Sequence, residues 1–96
     1  MRSEKYSLYI LRCADGSLYT GIALDVARRI QEHESGPRGA KYLRGRTPLA
    51  LVFQAEVGAR GAASRIERVV KALSRIEKER LISGEVVLAG LQQAGN

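Results

Sequence analysis

The stretch Tyr6–Ala23 reads YSLYILRCADGSLYTGIA and predicts a β-hairpin. Its arms, Tyr6–Arg12 and Leu18–Ala23, are rich in residues that favour strands. The residues between the arms, Ala14–Gly16, suit a three-residue loop in which a type I turn is followed by a left-handed glycine. Glycine adopts that conformation without steric cost. The loop length therefore sets the pairing of the two strands.

In that register residue 13 pairs with 17, 11 with 19 and 9 with 21. Because side chains alternate along a strand, one face of the hairpin carries Tyr9, Leu11, Tyr19 and Gly21. The other face is the expected core face, and it carries Leu8, Ile10, Leu18, Thr20 and Ile22. Gly21 opposite Tyr9 leaves open space on the tyrosine face. Alternatively, the tyrosines are ordinary sheet residues with hydrated hydroxyls.

Downstream of the hairpin, Asp25 is placed to cap a helix that runs to about Glu34. Ser35–Pro37 ends this helix, because glycine and proline do not easily continue it. A long basic loop then leads to a third strand over Leu49–Val57.

Two further helices follow. The chain is broken first by two glycines, Gly58 and Gly61. A helix is predicted over Ala62–Leu73, and the capping-box spacing of Ser74 and Glu77 starts a third helix that reaches Ile82. The sequence thus predicts one domain over residues 1–83 and a short irregular tail over 84–96.

The element order β-β-α-β-α-α predicts an α+β fold. The strands are too closely linked for parallel crossovers, so a three-stranded, mainly antiparallel sheet packed by about three helices is expected. A length of 96 residues suits one domain. The hydrophobic content of 45% is typical of a globular protein rather than a disordered one.

Composition also excludes several classes. No apolar run approaches the roughly 18–20 residues of a membrane span, and Met1–Ser7 lacks the apolar core of a signal peptide. Cys13 is the only cysteine, which rules out an intrachain disulfide and favours a cytoplasmic location. One cysteine and one histidine also exclude a zinc site of four Cys/His ligands.

The charge favours a polyanionic partner. The net charge is +6, and residues 35–55 contain no acidic side chain. Four basic residues lie in that stretch: Arg38, Lys41, Arg44 and Arg46. They predict contact with the phosphates of a nucleic acid, with a solvated surface loop as the alternative.

Two polar residues interrupt the apolar stripe of the first helix. That stripe, at i, i+3, i+4 and i+7, consists of Val26, Arg29, Ile30 and His33. An inward-facing guanidinium costs free energy unless it is paired or borders a cleft, so Arg29 is a better site candidate than Arg28. The alternatives are a structural ion pair for Arg29 and a hydrogen-bonded histidine at the core edge for His33.

Glu67 borders the apolar stripe of the second helix. It is either a carboxylate for a divalent cation, which prefers oxygen ligands, or half of an i, i+4 pair with Lys71.

These residues resemble the motifs of the GIY-YIG nuclease superfamily. Ser7-Leu8-Tyr9 and Tyr19-Thr20-Gly21 stand where that family has its two named motifs, and the other matching positions are Arg29, His33 and Glu67. The run from Tyr6 to Ile82 is similar to the small stand-alone bacterial, YhbQ-like branch, including RGRTP at Arg44–Pro48. Some branches carry a late active-site asparagine; here none follows Glu67 until Asn96.

The resemblance implies a metal-dependent endonuclease that hydrolyses phosphodiester bonds in DNA, such as structured or repair intermediates. Glu67 would hold Mg²⁺ or Mn²⁺, Tyr9 or Tyr19 would take a proton from water, and Arg29 would contact the phosphate. His33 would bond to a tyrosine hydroxyl or relay its proton. The alternatives are a non-catalytic nucleic-acid-binding module of the same fold and an RNA-associated protein. A protein partner that supplies specificity is also expected.

Overall fold

A three-stranded antiparallel sheet is the scaffold on which the helices pack. The computed structural model describes residues 4–35 and 41–94. The strands are β1 (Tyr6–Arg12), β2 (Leu18–Ala23) and β3 (Ala50–Gly58), and β1 lies at the centre in the order β2-β1-β3. The strand bounds of the hairpin and its register are confirmed: Tyr9 pairs with Gly21 and Leu11 with Tyr19.

The turn has the predicted geometry. Gly16 has φ of 86°, and its amide donates to the carbonyl of Cys13 at 2.9 Å. Asp15 completes the loop by accepting from the amide of Ser17 at 3.0 Å. Turn chemistry that is local in sequence therefore determines which face of the hairpin each tyrosine occupies.

Four α-helices cover the sheet. They are α1 (Val26–Ser35), α2 (Arg60–Lys71), α3 (Arg75–Ser83) and α4 (Leu88–Ala94), and a 3₁₀ turn lies at Lys41–Leu43. Asp25 caps α1 by accepting from the amide of Arg28, and Ser74 and Glu77 form the predicted capping box of α3. The α+β class and the antiparallel sheet are confirmed. None of the described helices combines the length and the run of apolar residues that a membrane span requires.

Each face of the sheet carries a buried cluster, whereas the sequence predicts a core on one face only. The expected face packs against α2 and α3 through Leu8, Ile10, Ile66, Val70 and Leu81. The tyrosine face holds a second cluster of Tyr9, Leu11, Cys13, Ala23, Val26 and Leu43. The second cluster arises because α1 and the 3₁₀ turn close over this face. The alternation of apolar residues along the strands does not predict that α1 and this turn pack on the tyrosine face.

Most predicted ends lie within one or two residues of the structure, as in β3, which is predicted over Leu49–Val57 and runs over Ala50–Gly58. Two features differ in kind. Helix α2 starts at Arg60, so Gly61 lies inside it and only Gly58, with φ of 133°, breaks the chain. The segment predicted to be an irregular tail contains α4, whose Leu88 and Leu91 pack beside the α2 cluster. Burial of these two leucines on a neighbouring helix offsets the weak helical preference of a short, Gly-containing segment.

A bidentate ion pair joins the end of β1 to α3. Both terminal nitrogens of Arg12 donate to the Glu79 carboxylate at 2.8 Å. This hydrogen bonding holds the pKa of Glu79 at about 2. The pair fixes α3 against the central strand.

Candidate active site

The two tyrosines of the hairpin lie side by side on the face that α1 covers. Their ring centroids are 6.3 Å apart. Tyr9 is 1% exposed, whereas Tyr19 is partly exposed. The pairing of Tyr9 with Gly21 and of Leu11 with Tyr19 produces this arrangement. The prediction that Tyr9 and Tyr19 share a face is confirmed, but only Tyr19 borders solvent.

Gly21 is required by the ring of Tyr9. A Cβ atom at position 21 would lie 2.5 Å from the Tyr9 hydroxyl oxygen and 2.7 Å from Cζ. The space that was expected to be open opposite Tyr9 is therefore filled by the tyrosine itself. The glycine lets the phenol lie flat across β2 and reach α1.

His33 meets this phenol from α1. The Tyr9 hydroxyl oxygen and His33 Nε2 are 2.9 Å apart, and the His33 side chain is buried. The Tyr19 ring packs edge-on against His33 at a centroid distance of 5.4 Å. Val26 and His33 are the buried residues of α1, as the helical stripe predicts.

Arg29 is held between a carboxylate and a phenol. Its Nη1 donates to Glu32 at 2.9 Å, and its charge acts on the Tyr9 phenol. Arg28, one residue earlier, is 74% exposed and lies 3.7 Å from the other Glu32 oxygen. The expected contrast between the two arginines is present. Glu32 pairs with both arginines.

The electrostatic environment of Tyr9 favours its protonated form. Burial, followed by the nearby Tyr19, raises the pKa of Tyr9 to about 12, and Glu67 adds to this rise. The charge and hydrogen bond of Arg29 act in the opposite direction. Burial, and then the Arg29 charge, lowers the pKa of His33. Near neutral pH the pair is therefore a phenol beside a neutral imidazole.

Glu67 lies on α2, where its carboxylate is 3.3 Å from Lys71 Nζ. The i, i+4 pair with Lys71 is therefore present. The charge of Glu67 also acts on Tyr9. Within residues 4–35 and 41–94 there is no cluster of three His, Cys, Asp or Glu side chains for a metal. One carboxylate still fits Mg²⁺, which keeps several waters and relies on substrate phosphates.

The basic loop is only partly available to a ligand. Arg38 lies outside the described residues. Lys41 and Arg44 are exposed, whereas Arg46 pairs with Asp15 and lies over the Tyr42 ring, 4.3 Å from its centroid.

Tyr42 is a neighbour of the site that the sequence analysis missed. Its ring stacks on Tyr19 at 5.9 Å and is 44% exposed. The signal in the sequence was its position inside the basic stretch, next to Lys41, where an aromatic side chain is otherwise unexplained. The contact depends on how the loop folds back, which local patterns do not predict.

The class of protein follows from the fold and this cluster: an α+β domain with two tyrosines, an arginine and a histidine gathered on one sheet face. The model of the GIY-YIG catalytic domain matches residues 5–80, and the chain belongs to the GIY-YIG family. This is a family of nuclease domains.

Relatives with similar sequences span most of the chain. A UPF0213 protein of Cronobacter sakazakii is 46% identical over 95% of this chain and 95% of its own length. The UPF0213 protein YhbQ of Salmonella typhimurium is 49% identical over 88% of each chain. The resemblance to the YhbQ-like branch is confirmed.

Two solution NMR structures share the fold. The UPF0213 protein BH0048 from Bacillus halodurans has a TM-score of 0.54 and 49% identity, over 82% of this chain and 83% of that chain. The protein EF2693 from E. faecalis has a TM-score of 0.60 and 32% identity, over 86% of this chain and 88% of that chain.

Proposed function

We propose that this protein is a metal-dependent endonuclease that hydrolyses phosphodiester bonds in DNA, with the tyrosine face as its active site. The observation that carries the proposal is the position of Arg29. Its guanidinium lies at the edge of a buried tyrosine–histidine pair and is partly exposed, with 33% of its side chain accessible. A fork of donors at such a site suits the oxygens of a scissile phosphate.

The two tyrosines differ in what they can do. Tyr9 is buried with a pKa of about 12, so its phenol keeps its proton and acts as a hydrogen-bond partner. Tyr19 is partly exposed and close to Tyr9 and His33, so it is the better group to take a proton from the attacking water.

Tyr9 and His33 hold Arg29 in place. The hydrogen bond between the Tyr9 hydroxyl and His33 Nε2, at 2.9 Å, fixes the phenol on the face that Arg29 borders. The charge of Arg29 acts on that phenol. Glu32 holds the other side of the guanidinium. A fork fixed in this way needs little reorganisation when phosphate charge develops.

Glu67 is the residue that would hold a divalent metal, Mg²⁺ or Mn²⁺. Such a metal stabilises the charge on the leaving oxygen when bound. Lys71 neutralises the carboxylate in its absence. Single-carboxylate binding predicts weak affinity for the metal without substrate, because phosphate oxygens complete the ligand set.

Unpaired cations define where the nucleic-acid backbone would lie. Across the described ranges, the basic side chains without an ion-pair partner are Lys41, Arg44, Arg60, Arg65, Arg68 and Lys78. Two belong to the basic loop and three to α2, the helix that carries Glu67. The loop adjoins the tyrosine face through Tyr42, whereas α2 packs on the opposite face of the sheet, and both surfaces offer contacts that depend on charge rather than sequence.

A cleavage panel tests the proposal. Single-stranded, duplex, flap and branched DNA, with matching RNA, would be incubated with protein in EDTA, Mg²⁺ and Mn²⁺. The wild type should cleave at least one DNA only with metal, and Arg29→Ala should cleave about 100-fold or more slowly. Arg28→Ala is the matched control, because it also removes a Glu32 partner but not the Tyr9 contact. Equal rates for the two variants would contradict the role of Arg29.

One observation favours a second candidate, a nucleic-acid-binding module that does not cut. Tyr9 is closed to solvent and Glu67 is already paired with Lys71, so the site resembles a structural polar cluster. Salt-dependent binding without cleavage of any DNA or RNA in either metal would support this module. Cleavage of RNA alone would move the substrate class from DNA to RNA.

A further inference from the structure

A row of four side chains connects the hairpin turn to Tyr19. Asp15 pairs with Arg46, the Arg46 guanidinium covers the Tyr42 ring at 4.3 Å, and that ring stacks on Tyr19 at 5.9 Å with an interplanar angle of 28°. Asp15 lies in the turn of the hairpin and Tyr19 lies on β2, while Tyr42 and Arg46 come from the segment after α1. The row is thus a long-range contact between two separate parts of the chain.

The segment that carries Tyr42 is anchored independently of the ring stack. Leu43 is fully buried in the cluster with Tyr9. The amide of Ala14 donates to the Arg46 carbonyl at 2.8 Å, and the amide of Arg46 donates to the Leu43 carbonyl at 3.1 Å. The backbone therefore keeps its place even when one of the surface side chains is changed.

We propose that Tyr42, Arg46 and Asp15 are positioning residues that hold the Tyr19 ring in its working orientation. This proposal rests on the proposed function, because it concerns the tyrosine that takes the proton. The Tyr19 ring meets His33 edge-on, while Tyr42 stacks on it. Without Tyr42 the partly exposed Tyr19 loses its stacking partner. A displacement of about 1 Å at a reacting group can lower a rate about 100-fold.

The same geometry argues against Arg46 as a phosphate contact. Its charge is neutralised by Asp15, it lies 3.4 Å from the Ser17 hydroxyl, and its planar face is on Tyr42. Release from these partners would cost the ion pair and the cation–π contact together. Its chief role is to fix Tyr42, which explains an arginine rather than a lysine at this position.

Substitutions at Tyr42 test the proposal. Tyr42→Ala removes the ring, and Tyr42→Phe keeps the stack and serves as the conservative rescue. At saturating DNA, the single-turnover rate of Tyr42→Ala should fall about 10- to 100-fold. Its dissociation constant should remain near the wild-type value, and Tyr42→Phe should cleave at nearly the wild-type rate. A Tyr42→Ala protein with a normal rate, or with loss confined to binding, would overturn the proposal.

Asp15→Asn tests the far end of the row. Asparagine keeps an oxygen that accepts from the Ser17 amide, so the turn is preserved while the charge pair with Arg46 is lost. Its rate should lie between those of the wild type and Tyr42→Ala. A rate as high as the wild type would exclude Asp15 from the positioning role.

A spectroscopic measurement separates this proposal from the proposed function. In protein with ¹³C-labelled tyrosine, nuclear Overhauser contacts between the Tyr19 and His33 rings should weaken in Tyr42→Ala and persist in Tyr42→Phe. The contacts are the readout, because loss of a stacked ring changes the chemical shifts of Tyr19 even when its orientation is kept. This readout needs no cleavage. If the wild type never cleaves, weakened contacts in Tyr42→Ala would retain the positioning role and reject the nuclease. Unchanged contacts in Tyr42→Ala would reject the positioning role alone.

Discussion

The Tyr9 hydroxyl and His33 Nε2 lie 2.9 Å apart, 24 residues apart in sequence, in the space between the sheet and α1. Gly21 creates that space, since a side chain there would collide with the phenol. The pair buries two polar groups that satisfy each other. This buried pair adjoins Tyr19 and Arg29, which are both more exposed than Tyr9.

The first prediction concerns pH and His33. Burial lowers its pKa in the folded state, so the unfolded chain binds the proton more readily. The contribution of neutral His33 to folding stability is therefore fully present above its pKa in the unfolded chain, about 6.5. It is lost as the pH falls through the lower pKa of His33 in the folded protein. His33 is the only histidine, so this window belongs to it. Urea unfolding at pH 7.5 and 5.5 should show a loss of stability at pH 5.5 that is smaller in His33→Gln. Equal losses in the two proteins would contradict the assignment.

Gly21→Ala should destabilise the fold. The new methyl group would overlap the Tyr9 ring, which is buried and bonded to His33, so the free energy of unfolding should fall by roughly 1–3 kcal/mol. Gly61→Ala is a matched control, for which the expected change in stability has the opposite sign. Its Cβ meets only Arg65 at 3.8 Å, and alanine in a helix should raise stability by roughly 0.5–1 kcal/mol. Chemical denaturation of both variants makes the comparison, and a neutral Gly21→Ala would show that the Tyr9 ring moves freely.

Thr20 offers a stabilising substitution. Its hydroxyl oxygen is buried with no hydrogen-bond partner in the described structure, on the face that packs against α2. Thr20→Val keeps the shape and removes that oxygen, so thermal or urea unfolding should show a gain of about 1 kcal/mol. Thr20→Ser keeps the hydroxyl and loses the methyl group, and it should be less stable than the wild type. A destabilised Thr20→Val would indicate a bound water at this oxygen.

The hairpin could be predicted in full because its determinants are local. The three-residue turn with Gly16 fixes the register, and the register fixes the face of each tyrosine. The capping box of Ser74 and Glu77 is equally local, and the start of α3 was predicted to the residue. Arg29 and His33 were singled out because polar residues in an apolar helical stripe need partners.

What could not be predicted depends on contacts between distant parts of the chain. The second buried face exists because α1 and Leu43 close over the tyrosines. The pairing of Arg46 with Asp15 joins residues 31 apart, and Glu32 turns toward Arg29 rather than to solvent alone. Helix α4 forms against α2, although its own sequence pattern is weak. None of these contacts produces a periodic pattern in the sequence from which it could be predicted.

The basic surfaces make a prediction about salt dependence. Each phosphate contact contributes roughly 0.7–0.9 to the log–log slope of affinity against salt. Lys41→Ala combined with Arg44→Ala should therefore flatten the slope by about 1.4–1.8 if both touch phosphates. Arg46→Ala should change it much less, because Arg46 is paired with Asp15. Fluorescence anisotropy with labelled DNA at several salt concentrations measures these slopes. An unchanged slope in the double variant would indicate that the phosphate contacts are made instead by Arg60, Arg65 and Arg68 on α2.

We propose that Glu67 serves the hydrolysis of a bound nucleic acid and not only the i, i+4 pair with Lys71. Single-turnover cleavage with Mg²⁺ or Mn²⁺, measured beside DNA affinity, tests it in Glu67→Ala and Lys71→Ala. Both variants break the same ion pair, but only the first removes the carboxylate. Glu67→Ala should lose metal-dependent cleavage and keep most of its affinity, while Lys71→Ala should still cleave. Cleavage by Glu67→Ala at the wild-type rate, or equal effects in the two variants, would contradict the account.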